Sequence, residues 1–317
     1  MKSKIIISVI NQGLLSVFNF LLSIYLIKVL GFKDFGFYSL IFAIGLSLIS
    51  FQNAFVTTPM SLLTKKRVLV GLSKYQSYFN TCQYVYLLGV VFICVIANYF
   101  IMVDLLAICI YLTAFCFRDY VKSQMLLSYK VNLVLISDIL FVVSVVLLTL
   151  LIESYNLLSL SNILIILGGC SFFVNIICKN ALNLRIVQNY RLFWKFYSFK
   201  IWRISKWTSI GVMLTELHSR AYLLVLSVFY SADILGLVQA ARVLFGPLNL
   251  LINGWLRIAR NYFASLLGEN KRQKFIQFFN WSITGVVAVN FIVFLLVITL
   301  WDNIKNYLFE SVNVDML

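Results

Sequence analysis

Charge, proline and histidine are all scarce in this chain. Of 317 residues only 12% are charged, two are proline, and His218 is the single histidine. A soluble domain carries about 25% charged side chains to keep its surface wet, so a free-standing globular fold is excluded. The sequence also lacks a P-loop, a GxSxG elbow, an HExxH pair and any CxxC. Those absences remove the usual routes to nucleotide hydrolysis, nucleophilic catalysis and zinc binding, and the expectation is a non-enzyme with no cofactor and no metal. Six cysteines fall inside or at the ends of apolar stretches without ligand spacing, which reads as small core residues.

What is abundant is apolar sequence. Hydrophobic residues make up 62% of the chain and the mean hydropathy is +0.95. They come in blocks of roughly 18 to 28 residues, and crossing a bilayer as a helix takes about 20. Membrane β-strands would alternate in polarity over about 10 residues, and no such alternation is present. The fold expected is all-α and polytopic, with about nine transmembrane helices near 5–30, 36–61, 79–102, 105–127, 132–152, 162–182, 207–230, 236–256 and 279–300. These group into an N-terminal six-helix bundle over 1–182, a cytoplasmic linker over 183–206 and a partial second bundle over 207–317.

The formal charge of +15 does not point to nucleic acid, because its placement follows the membrane. With the N-terminus inside, 20 of the 26 lysines and arginines lie in inner segments; Lys28, Lys33 and Lys305 lie outside, and Arg118, Arg220 and Arg242 lie within spans. This obeys the positive-inside rule, and it implies a cytoplasmic N-terminus, an outer C-terminus and contact with anionic membrane lipids. The linker interleaves basic and aromatic residues as an interfacial helix does, and reads either as a plain connection or as a lever between bundles.

Two joins in the chain look alike. The first reads Leu30-Gly31-Phe32-Lys33-Asp34-Phe35-Gly36-Phe37-Tyr38-Ser39 and the second Phe229-Tyr230-Ser231-Ala232-Asp233-Ile234-Leu235-Gly236, each an aromatic, an Asp and then a Gly that opens a helix. Both helix pairs begin inside, so the two units run parallel, and parallel six-helix repeats mark alternating-access transporters.

Asn11, Gly13 and Asn19 of the first helix, the turn carrying Leu30, Gly31, Phe35, Gly36, Tyr38 and Ser39, and the series Arg118, Lys122, Lys130 and Asp138 together resemble the polysaccharide exporters of the MOP superfamily. These are the Wzx-type O-antigen, capsule and teichoic-acid flippases. The resemblance implies a bacterial inner-membrane protein that moves an undecaprenyl-linked oligosaccharide, with glycan-assembly membrane proteins as further partners. It also implies two full bundles, whereas this chain supplies six helices plus about three, so a truncated or reduced member and half of a paired transporter stay open. Alternatives are a multidrug or small-cation exporter of the same superfamily and a polytopic glycan polymerase. Short, mostly acidic outer joins disfavour the polymerase.

An ionisable group inside a span costs at least about 2.5–3.5 kcal/mol unless paired or hydrated, so each one carries a functional hypothesis. Lys122 and Asp138 stand equally far from the turn near Lys130 and are expected to pair across the fourth and fifth helices. Arg118, one turn deeper, either joins that lock or lines an anion-binding lumen. Glu216 and Arg220, at i and i+4 in the seventh helix, are the leading lumen residues, with Arg242 a third cation near the outer surface. His218, with Glu216, is the group able to couple transport to protons; ordinary packing is its other reading. Ser8, Gln12, Ser16, Asn19 and Ser23 form a stripe that is either cavity wall or interhelix glue. On the resemblance, Arg118, Arg220 and Arg242 would meet the substrate's pyrophosphate, with Asn11, Asn19 and Glu216 beside them. Pro59 reads as a helix end, and Pro247 as a bend in the eighth helix.

Overall fold

The computed structural model describes residues 2–65, 72–100, 103–128, 130–178, 187, 189–244, 246 and 272–299. Among the described residues the chain is overwhelmingly helical and has no strand. Six helical stretches among the described residues, Ile10–Leu63, Gln76–Ile96, Val131–Ser154, Leu160–Ile177, Arg191–Phe229 and Arg272–Ile292, are long and apolar enough to cross a membrane. Pro247 lies outside the described residues.

Helix α1 covers Lys2–Gln52, 51 residues, which unbroken would reach roughly 75 Å at 1.5 Å per residue, more than two bilayer cores. Gly31 breaks it. Its φ of 75° and ψ of 176° are not helical, and glycine enters that positive-φ region without the clash a Cβ would meet. The break falls inside the first of the two similar joins.

Beyond Gln52 the backbone continues through a π-helical turn, Asn53–Thr57, into α2, Thr58–Lys65. The sequence reading placed a helix end at Pro59; the helix instead runs through it. A proline offers no N–H to the preceding turn, so carbonyls there lose a donor. A later helix makes good the loss. Thr208 Oγ1 donates to the Ala54 carbonyl at 3.1 Å, and Ser205 Oγ donates to the Phe55 carbonyl at 3.4 Å. The widened turn and two borrowed hydroxyls let the helix absorb its proline.

The remaining elements are α3 (Leu72–Phe100), α4 (Leu105–Leu127), α5 (Val131–Ser154), α6 (Leu160–Cys178), α7 (Tyr190–Phe196), α8 (Trp202–Phe229), α9 (Ala232–Leu244) and α10 (Arg272–Thr299). At the start of α7 the Asn189 side chain accepts from the backbone N–H groups of Arg191 and Leu192, a side-chain cap. A second π-helical turn, Tyr197–Ile201, joins α7 to α8, with helical dihedrals at Phe196, Tyr197, Ile201 and Trp202. Residues 190–210 contain neither Pro nor Gly, so nothing local ends a helix between the expected linker, 183–206, and the helix expected from 207.

The chain divides into two compact units. The first takes the described residues up to Asn11 together with Phe32–Gly236. Within it α4 packs on α6 and α3, and α5 on α6. Helix α4 carries Arg118, Asp119 and Lys122, too many charges for an apolar span, and it is also heavily covered, burying Ile108, Tyr111, Leu112, Tyr120 and Met125. Its approach to α6 is close: a Cβ on Gly168 would stand 2.7 Å from Ile110 Cγ2. Charge is thus enclosed by protein, while uncharged parts face outward. Helix α5 exposes Leu133, Ile136, Leu140, Val143, Leu147 and Leu150, the surface a helix presents to lipid. The second unit takes Gln12–Gly31 with the described residues from Leu237 onward. It buries Phe18, Leu22, Leu26 and Ile27 from the first segment and Gln239, Ala240 and Ser282 from the others.

Candidate functional site

Asp138 of α5 is fully buried and lies at the meeting point of three donors. Arg118 Nη2 donates to Oδ1 at 2.6 Å, Lys122 Nζ stands 2.9 Å from Oδ2, and Asn11 Nδ2 donates to Oδ2 at 2.7 Å. The guanidinium carbon of Arg118 also sits 3.4 Å above the centre of the Phe141 ring, a cation–π contact. Helical spacing explains half of this cluster. Arg118 and Lys122 are one turn apart on α4 and project to the same side, toward the helix that follows the short turn at Lys130. Asn11 arrives from α1, 127 residues away in sequence. With Asp119 beside Arg118, the formal charges of Arg118, Lys122, Asp119 and Asp138 sum to zero. Both cations of this cluster are engaged by a buried carboxylate, the arrangement of a lock between α1, α4 and α5.

The second cluster joins α8 to the part of α1 that follows Gly31. Glu216 Oε2 lies 2.8 Å from Arg220 Nη1 and accepts from Ser47 Oγ at 2.6 Å. Arg220 Nη1 also donates to Ser47 Oγ at 3.0 Å and to the Ala43 carbonyl at 3.1 Å. This pair is more open than the first, with the Arg220 side chain 22% exposed against 8% for Arg118. A guanidinium held by one carboxylate and two neutral oxygens at a partly open position can exchange those partners for phosphate oxygens.

These contacts belong to a longer antiparallel pairing. Phe55 meets Ser205, Ala54 meets Thr208, Ser47 meets Glu216, and Ala43 meets Arg220. At its far end the two similar joins touch. A Cβ on Gly36 would run into the Ala232 carbonyl oxygen and stand 3.0 Å from the Gly236 nitrogen, and one on Gly236 would run into the Phe32 carbonyl oxygen. None of the protein-family models, curated proteins or solved structures compared with this chain matches it. The functional reading therefore stands on this geometry and on the sequence motifs.

The other sequence-derived candidates are exposed side chains. His218 is exposed on α8, Asn19 is exposed on α1, and Arg242 is exposed on α9. Of the serine–asparagine stripe, Gln12 is exposed and Ser16 and Ser23 are half-buried, with Ser23 Oγ donating to the Asn19 carbonyl on its own helix. Asn11, one residue off the stripe, makes an interhelix bond, to Asp138.

A polar network escaped the sequence reading. Tyr120 Oη donates to Asn80 Oδ1 at 2.7 Å, and Gln124 Nε2 donates to the same oxygen at 2.7 Å and to Tyr120 Oη at 2.6 Å. Gln76 Nε2 reaches Gln124 Oε1 at 3.3 Å, and Gln83 Nε2 donates to Gln52 Oε1 at 3.1 Å. The signal was present as helical spacing, Asn80 with Gln83 and Tyr120 with Gln124, in otherwise apolar surroundings. Neutral amides carry no charge to draw attention, although inside a bundle they bind helices together.

Proposed function

We propose that this chain is a nine-span flippase of the polysaccharide-exporter type. It moves an undecaprenyl-linked oligosaccharide across the bacterial cytoplasmic membrane by alternating access, with its N-terminus in the cytoplasm. The observation that carries the reading is the reciprocal contact of two sequence-related joins at Gly36 and Gly236, supported by an ion pair further along the same helix pairing, on α8. Matched helix pairs that meet through backbone can part without repacking side chains, which suits a repeat-based transporter. In this mechanism Arg220 leaves Glu216 and Ser47 for the substrate's phosphate oxygens, and the vacated carboxylate and hydroxyl take the sugar's hydroxyls. Arg118 stays on Asp138 as part of the framework.

The test is deletion of the gene in its own host, complemented with wild type, Arg220→Ala and Arg220→Lys. Surface glycan and inner-leaflet lipid-linked oligosaccharide are scored together. Wild type restores export, Arg220→Ala accumulates the lipid-linked intermediate at normal protein level, and Arg220→Lys restores it in part, because an ammonium lacks the planar fork. Normal surface glycan with Arg220→Ala sinks the mechanism. A deletion that changes drug susceptibility and leaves glycan intact transfers the chain to the drug-exporter reading.

A further inference from the structure

Helix α7 and the turn that follows it carry features that neither the transport reading nor the ion pairs use. The helical run Arg191–Phe229 is 39 residues, about 58 Å at 1.5 Å per residue, and one crossing needs about 20. Roughly half of it is surplus to the crossing. The N-terminal half holds the charge, with Arg191, Lys195, Lys200, Arg203 and Lys206 all exposed, and no acidic residue lies between Glu153 and Glu216. This half therefore belongs at the level of the lipid headgroups.

Two concavities flank α7 on neighbouring faces. One, of about 260 Å³, is apolar and aromatic, lined among others by Phe55, Val85, Tyr86, Phe193, Trp194 and Tyr197. The other, of about 300 Å³, places Lys195 and Lys200 over a floor of Leu192, Phe196 and Phe199. The α7 backbone between them is anchored, with Phe193 and Ile201 buried and Phe196 packed 4.5 Å from the Tyr78 ring centre. Trp194, at the mouth of the apolar groove, is 55% exposed. A fixed apolar slot beside a pair of lysines is complementary to an amphiphile with an anionic head.

We propose that this face is a binding site for an anionic phospholipid, with an acyl chain in the groove at Trp194 and the phosphate against Lys195 and Lys200. The site is independent of transport, and its charge selects among the bilayer's own lipids.

The test uses the full chain in phosphatidylcholine nanodiscs, into which brominated phosphatidylglycerol or brominated phosphatidylcholine is titrated. Bromine quenches tryptophan on contact, and subtracting the signal of Trp194→Phe isolates Trp194. Half-quenching is expected at about fivefold lower mole fraction of the anionic lipid for each lysine that meets the phosphate. The double variant Lys195→Gln/Lys200→Gln should be quenched equally by both lipids, and Lys195→Arg/Lys200→Arg should keep the preference. Equal quenching in wild type overturns the proposal, as does a preference that survives the glutamine pair. Trp194 shielded from both lipids in a dimeric fraction also overturns it, and gives the groove to a second copy. If the glutamine pair fails to fold, the wild-type preference and its retention in the arginine pair decide.

Discussion

Gly36 and Gly236 occupy equivalent places in two joins and meet as mates. Gly36 abuts Ala232, Gly236 abuts Phe32, and an offset of 200 residues turns each contact into the other. Reciprocal contact of this kind is how two like surfaces pack about a two-fold axis. It leaves no room for a side chain at either glycine.

The first prediction follows from that crowding. Gly36→Ala should destabilise the protein by about 1–3 kcal/mol, since a methyl against a backbone carbonyl forces the helices apart. Gly89→Ala on α3, where a Cβ meets nothing within 4 Å, should be neutral or stabilising by up to about 1 kcal/mol through helix propensity. Thermal unfolding of the two variants in detergent checks the contrast, and equal Tm values would refute the close approach.

Removing the carboxylate of the buried lock is expected to cost more than removing either cation. Asp138→Asn strands Arg118 and Lys122 beside a neutral amide, a loss of about 3–5 kcal/mol. Lys122→Gln, at a side chain 20% exposed, leaves the Arg118 and Asn11 bonds in place and should cost less. Denaturant titration in mixed micelles ranks the two, and a Lys122 variant weaker than the Asp138 variant would contradict the geometry.

Pro59 and α8 make a prediction that only a double variant can test. Thr208→Val leaves the Ala54 carbonyl short of its donor, at about 1–3 kcal/mol. Pro59→Ala returns a backbone N–H to that turn and should recover most of the loss in the Thr208→Val background. A double-mutant cycle with no coupling would mean that the hydroxyl does not stand in for the missing N–H.

The Asn80 network should behave as a shared bond. Tyr120→Phe deletes one hydroxyl that both donates to Asn80 and accepts from Gln124, and an apolar ring in its place leaves buried amides underused. The expected cost is about 1–3 kcal/mol, read as a lowered Tm. An unchanged Tm would show that the amides find other partners.

Legibility varied with the range of the interaction. Lys122 and Asp138 are legible as a pair because both can be counted from one turn, and Glu216 and Arg220 because they share a helix face. Asn11 was visible as a polar residue in an apolar helix, but its bond to Asp138 was not, and neither was Ser47 as the third member of the Arg220 cluster. Pro59 read as a helix end because the donors that rescue it lie some 150 residues away.

The sequence by itself determined the solvent and the element type. Long apolar blocks with two prolines and few charges admit helices in a bilayer and little else, because hydropathy and helical period are properties of neighbouring residues. It also marked the two joins, since a Gly after an Asp is read along the chain. Only the tertiary structure decided which charges neutralise which, that Pro59 is absorbed by Ser205 and Thr208, and that the two joins meet. Those outcomes depend on which helix faces are brought into contact, and that is set by the packing of the bundle as a whole rather than by spacing along any one helix.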